Sequence, residues 1–108
     1  QQLIELSPKG LALGFSVWTD DRMIEETQFN LNSGDIVVFY TDGAEEARNK
    51  ASQSLGHAPF CDLLNRRLLV NPKASAKDMV HEILKEIHSF TGSVLASDDV
   101  TLGILKVL

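Results

Sequence analysis

The sequence predicts an α+β fold, a mainly antiparallel sheet with two helices on one face. Three observations predict it. Apolar runs of strand length stand at residues 36–40 and 100–108. Two stripes of helical period lie between them, with no strand separating the helices. A short turn, Asn32-Ser33-Gly34-Asp35, joins an alternating segment to the run at 36–40, which favours an antiparallel hairpin.

Each element follows from local pattern. Residues 1–6 read as a short edge strand, and Pro8-Lys9-Gly10 as a turn. Residues 11–18 are apolar, with Gly10 and Gly14 marking backbone bends near a strand. In residues 23–31, Met23, Glu25, Thr27, Phe29 and Leu31 face one way, the more apolar face of a strand. The unbroken run at 36–40 implies burial on both faces. Residues 44–48 suit a single helical turn, and 50–56 a polar loop. Phe60, Leu63, Leu64 and Leu68 make the first helical stripe, with Asp62 and Arg66 spaced for an ion pair. Asn71-Pro72 ends that helix. Ser75, with Asp78 three residues on, reads as the N-cap of the second helix. Met79, Val80, Ile83, Leu84, Ile87 and Phe90 form its stripe, and Gly92 stops it. Residues 100–108 close the chain as a strand.

Composition narrows the partners. The chain has 108 residues, enough for one small domain with one core. Its net charge of −5 argues against nucleic acid and against an anionic membrane surface, both of which select a basic face. It leaves cation binding open. No apolar run reaches the length of a membrane span, so no membrane insertion is expected in this segment. No basic region followed by an apolar stretch marks a signal peptide. The sole cysteine, Cys61, cannot form an internal disulfide, and the default expectation is a reducing, cytoplasmic compartment. The chain begins Gln1-Gln2, and is expected to be a piece of a longer protein.

Asp42 closes the apolar run at 36–40, and Asp98-Asp99 stands just before the run at 100–108. Were those strands antiparallel neighbours, the carboxylates would meet at one end of the sheet. Gathered carboxylates suit a hard divalent cation. Taken singly, each motif has a plainer reading: Asp42-Gly43 is a common turn pair, and adjacent acids are usually solvated. Their combination, with no competing cluster, points to a cation site. The three histidines make a poor ligand set. His81 and His88 share a helix, His57 stands in a loop, and Lys85 replaces the second histidine of a zinc-peptidase motif. Cys61 lies near the apolar face of the first helix and reads as a buried structural thiol. Glu45 and Glu46 read as a solvated helix face, close enough to Asp42 to support a ligand there.

Four stretches carry a family resemblance. Gly10-Leu11-Ala12-Leu13-Gly14 is similar to a "GxPLG" segment, with Ala12 in place of the proline. Leu31 to Gly43 resembles "L-x-x-GD-x-hydrophobic-YTDG". Ala44-Glu45-Glu46-Ala47-Arg48-Asn49 resembles the "VxEARN" that follows it. Ser97-Asp98-Asp99-Val100-Thr101-Leu102 resembles a closing "DDxTL". Together they resemble the C-terminal part of the metal-dependent protein serine/threonine phosphatases, relatives of protein phosphatase 2C, of the bacterial RsbU and SpoIIE type.

The resemblance carries several implications. Asp42 and Asp98 would ligate the same catalytic metal, Asp99 would sit beside it, and Gly43 would allow the tight turn. Two manganese or magnesium ions in the complete domain would activate a water that attacks phosphoserine or phosphothreonine directly. The substrate would be a phosphorylated regulatory protein of the anti-sigma-factor antagonist type. The fold would be half of an α/β/β/α sandwich, with residues 1–108 as the C-terminal part and the N-terminal half absent. That half would supply the aspartate bridging both metals, so this chain alone is expected to be inactive. Half a sandwich would also expose apolar sheet and strand edges, which favours self-association. The alternative is a catalytically inactive phosphatase-like interaction module. A receiver-type phosphorylation domain fits less well, because receivers alternate strand and helix.

Overall fold

A computed structural model describes residues 3–6, 26–92 and 99–108. The chain divides into two compact units, residues 1–31 and 32–108. In the first, residues 3–6 and 26–31 hold no regular secondary structure and are exposed. The strands expected at 1–6 and 23–31 are therefore not formed there. Alternation specifies a strand only where one face is buried, and Phe29 and Leu31 are both exposed. The turn at 8–10, the segment at 11–18 and residues 23–25 lie outside the described residues.

The second unit holds β1 (Ile36–Tyr40), α1 (His57–Val70), α2 (Ala76–Thr91) and β2 (Leu102–Lys106). The two strands pair antiparallel, from Ile36 opposite Lys106 to Tyr40 opposite Leu102. Among the described residues this two-stranded sheet is the whole of the ladder. The expected architecture is present: an antiparallel sheet, then two adjacent helices, in α+β order. β1 pairs with the last strand. The pairing runs past the strand ends, since Gly34 N–H donates to Val107 O at 2.8 Å and Val107 N–H to Asp35 O at 2.9 Å. The turn before β1 is closed by Asp35, whose Oδ2 accepts from Asn32 N–H at 2.8 Å. Gly34 takes φ +93°, the left-handed region that favours glycine.

The helices are specified differently. α2 is capped as its sequence implies: Ser75 Oγ accepts from Asp78 N–H at 3.1 Å, and Gly92 terminates it with φ +63°. Its stripe buries Met79, Ile83 and Ile87. α1 has no side-chain cap at Gly56 and begins at His57, which is helical rather than in a loop. Pro59 is tolerated in its first turn, where backbone N–H groups lack helical partners. Asp62 and Arg66 form no ion pair among the described residues. Arg67 instead reaches across to Glu82 at 3.8 Å and to Glu86, tying α1 to α2.

Both helices lie on one face of the sheet. Ala44, Ala47, Phe60, Leu63, Leu64, Ile83 and Ile87 form the core cluster, and Val38, Tyr40, Leu102 and Ile104 pack on it from alternate strand positions. Phe60 and Ile83 are fully buried. Each stabilises the fold by about 1.5–3 kcal/mol through removal from water. The Tyr40 and Phe60 rings meet with centroids 4.7 Å apart, tilted at 59°. Lys106, on the same sheet face, donates to Pro72 O at 2.9 Å and Ala74 O at 2.5 Å, which pins the α1–α2 connection to β2. The other face is less covered than the apolar run implied: Phe39 is 59% exposed and Leu105 47%.

Candidate metal centre

β1 delivers Thr41 and Asp42 to the end of the sheet where β2 begins. The chain then enters a short 3-10 turn, Asp42–Ala44, two residues earlier than the helical turn expected at 44–48. Thr41 explains the turn. Its carbonyl accepts from Ala44 N–H at 3.1 Å, so it is lost to the ladder. Its hydroxyl takes over, accepting from Thr101 N–H at 3.0 Å and donating to Asp99 O at 3.3 Å. Thr41 N–H completes the pair by donating to Thr101 O at 3.1 Å.

The same register brings Gly43 opposite Asp99. A Cβ built on Gly43 would lie 2.2 Å from Asp99 O and 3.0 Å from its carbonyl carbon. Both are backbone atoms, so neither can swing away. Gly43 does not have the positive φ of Gly34, Gly56 and Gly92. Glycine is needed here for close approach of two backbone segments. Asp42 is exposed, with its main chain fixed by Glu46 N–H donating to Asp42 O at 2.9 Å. Asp99 is exposed as well.

The segment after Asp42 is a tight loop rather than a helix. Asn49 organises it: Oδ1 accepts from Ala51 and Gln53 N–H, each at 3.0 Å, and Nδ2 donates to Gln53 Oε1 at 3.2 Å. Arg48 Nη1 donates to Ser52 O at 2.7 Å, across the left-handed Ser52 at φ +59°. Ala44 and Ala47 are buried beneath this loop, where larger side chains would displace the core.

Glu45 is part-buried, not on a solvated face. Its Oε1 accepts from the Tyr40 hydroxyl at 2.8 Å and lies 2.6 Å from His57 Nδ1. The hydrogen bond from His57 lowers the Glu45 pKa below its ordinary value; partial burial opposes this, and Tyr40 and the His57 charge add to it. One carboxylate thus clasps the end of β1 to the start of α1.

Oxygen donors of this kind fit manganese or magnesium better than softer metals. Asp42 and Asp99 stand on adjoining backbone segments, and the Gly43 close approach is what allows those segments to touch. Asp98 lies outside the described residues. Among the described residues no group of three or more His, Cys, Asp or Glu side chains comes together as a metal site. No helix there is long and apolar enough to cross a membrane.

Over residues 1–108 the sequence matches the family model described as Stage II sporulation protein E. The chain belongs to the SpoIIE family. That family is of the PPM phosphatase type, and the chain's α+β architecture is consistent with part of such a fold. No curated protein and no solved structure matches the chain significantly.

Within this SpoIIE-family chain, three positions that matter were not distinguished by pattern. Thr41 is marked by no sequence pattern, yet it carries the junction between strands. Glu45 reads as surface, yet it is the clasp. Cys61 reads as core, yet it is only half-buried and lies 3.6 Å from His57 Nε2. Both helices show their buried stripes in sequence, whereas these contacts join residues from separate segments, which no periodicity reports.

Proposed function

We propose that this chain supplies one side of a metal-dependent phosphatase centre that hydrolyses phosphoserine or phosphothreonine on a regulatory protein of the anti-sigma-factor antagonist type, in the cytoplasm. Asp42 and Asp98 hold one divalent cation, manganese or magnesium, with Asp99 beside it. The complete domain holds two such ions. The observation that carries this reading is the contact of Gly43 with Asp99, which sets the Asp42 turn against the segment that leads into β2.

The chain's own residues contribute position and charge. Asp42 is held by its main chain and leaves its carboxylate exposed. Thr41 fixes the spacing between the two acidic segments through Thr101 and Asp99. Glu45 anchors the outgoing chain, so the turn bearing Asp42 is braced on both sides. A bound divalent cation would supply a Lewis acid that lowers the pKa of water and stabilises charge on phosphoryl oxygens. Carboxylates from the N-terminal half of the domain complete the site, so the 108-residue chain is inactive by itself.

Manganese titration by calorimetry tests the ligand assignment. Asp42→Asn is expected to weaken binding about tenfold or more, as loss of one charged ligand implies. Identical titrations for the variant and the parent chain would remove Asp42 from the site. Phosphoserine hydrolysis by the 108-residue chain alone would show that no further half is needed.

A further inference from the structure

We propose that Cys61 is a nucleophilic thiol, activated by His57 and Glu45, and a site of modification by hydroperoxides and other soft electrophiles. His57 opens α1 and Cys61 lies one turn further along, so the two side chains share a helix face. Cys61 Sγ is 3.6 Å from His57 Nε2. On the far side of the ring, His57 Nδ1 is 2.6 Å from Glu45 Oε1, and the Tyr40 hydroxyl donates to that same oxygen. An ionised carboxylate can only accept, so Nδ1 carries the proton. In the neutral ring Nε2 then presents its lone pair to the thiol. The order is nucleophile, base, then an acid that orients the base, which is the arrangement an activated thiol requires.

Three separate segments build this row: the end of β1, the loop after Asp42 and the first turn of α1. The His57 side chain is 47% exposed and Cys61 is half-buried, so the row lies at the surface rather than in the core. No metal ligand proposed above takes part, and the inference stands whether or not the chain is half of a phosphatase centre.

The chemistry balances within the row. The thiol proton moves to Nε2, leaving a thiolate beside an imidazolium that Glu45 stabilises. The thiolate attacks one oxygen of a hydroperoxide. An S–O bond forms and the O–O bond breaks; sulfur is oxidised to the sulfenic acid and the peroxide is reduced. The departing oxygen takes the imidazolium proton and leaves as water or an alcohol, returning His57 to its neutral form.

Alkylation by iodoacetamide tests the proposal, followed by intact mass on the 108-residue chain at neutral pH. Cys61 is the sole cysteine, so each reaction gives one adduct. The native chain is expected to react about tenfold faster than the same chain in urea, where the imidazole is no longer held beside the sulfur. His57→Gln should bring the native rate to the unfolded rate or below it, and Glu45→Gln should fall between. An unfolded variant would also react at the urea rate, so His57→Gln is compared only where its circular dichroism and urea midpoint match a folded chain, and Glu45→Gln, which keeps the imidazole, serves as the second variant. A native parent chain that reacts no faster than its urea-unfolded form would overturn the proposal, and so would a His57→Gln variant that reacts as fast as the parent.

Discussion

The two ends of the β1–β2 ladder are closed in opposite ways. At the end that holds Asp35, the turn is local: Asp35 N–H donates to Asn32 O at 3.0 Å and the Asp35 carboxylate accepts from Asn32 N–H, all within four residues. At the end that holds Asp42, Thr41 bonds to Thr101 and to Asp99, partners 60 and 58 positions away. A local turn can form while the rest of the chain is unfolded. The Asp42 end must wait until α1 and α2 have brought β2 alongside, because closing a long loop costs entropy before its contacts form. The Asp35 end also bonds the remote Val107, but through main chain alone, so its side chains are chosen for turn chemistry, whereas at the Asp42 end a side chain, that of Thr41, must fit the remote segment.

Two glycines make the contrast measurable, and they carry the largest expected effect. Gly43→Ala places a Cβ into the Asp99 backbone, and is expected to destabilise the chain by about 3 kcal/mol, at the upper end for overpacking. Gly34→Ala meets nothing within 4 Å but takes φ +93°, so only backbone strain opposes it, at about 1 kcal/mol. Urea unfolding followed by circular dichroism measures both. Equal losses would mean that the Asp42 end is no more constrained than the turn. Gly43→Ala should also open the Asp42 end, so its manganese affinity should fall further than that of Gly34→Ala.

Thr41→Val comes next. The shapes are alike, but valine cannot accept from Thr101 N–H or donate to Asp99 O. Loss of the two bonds is expected to cost about 1–2 kcal/mol. Hydrogen exchange sharpens the comparison: the Thr101 amide should lose protection in this variant, while the Gly34 and Val107 amides at the other end should keep theirs. Uniform loss along the ladder would show that the two ends open as one.

How much was legible follows the same division. Ser75, Gly92 and the stripe from Met79 to Ile87 fixed α2 in advance, since each signal acts within a few residues. β1 and β2 are readable as apolar runs, but their antiparallel pairing enters the sequence reading only as a condition, since the turn before β1 favours a hairpin with the preceding segment. The failures lie where pattern meets tertiary context. Residues 26–31 alternate like a strand, but without a buried face the alternation does not specify one. The stretch 44–48 has helical composition, yet Asn49 and Arg48 hydrogen-bond the chain into a loop. For the candidate site, residue type and position single out Asp42, Asp98 and Asp99, of which the described residues place Asp42 and Asp99 on adjoining segments; they do not single out Thr41 and Glu45. The roles of those two depend on partners that only the folded chain brings within reach.

The smallest expected effect tests the Glu45 clasp through pH. The folded chain holds this carboxyl below its ordinary value of 4.5, with the His57 hydrogen bond as the largest cause. The unfolded chain therefore binds the proton more readily. Stability from this group is complete above the unfolded value and is lost as pH falls through the lower, folded one. The parent chain should accordingly lose urea resistance below pH 4.5 more steeply than Glu45→Gln, which has no carboxyl to protonate. His57→Gln, which keeps the carboxyl but removes its main partner, should flatten the same part of the curve. Parallel pH profiles for the parent and both variants would mean that Glu45 holds β1 to α1 by packing alone. A difference confined to the acid side would show that the Asp42 end is fastened by a charge, where the Asn32–Asp35 end is fastened by a turn.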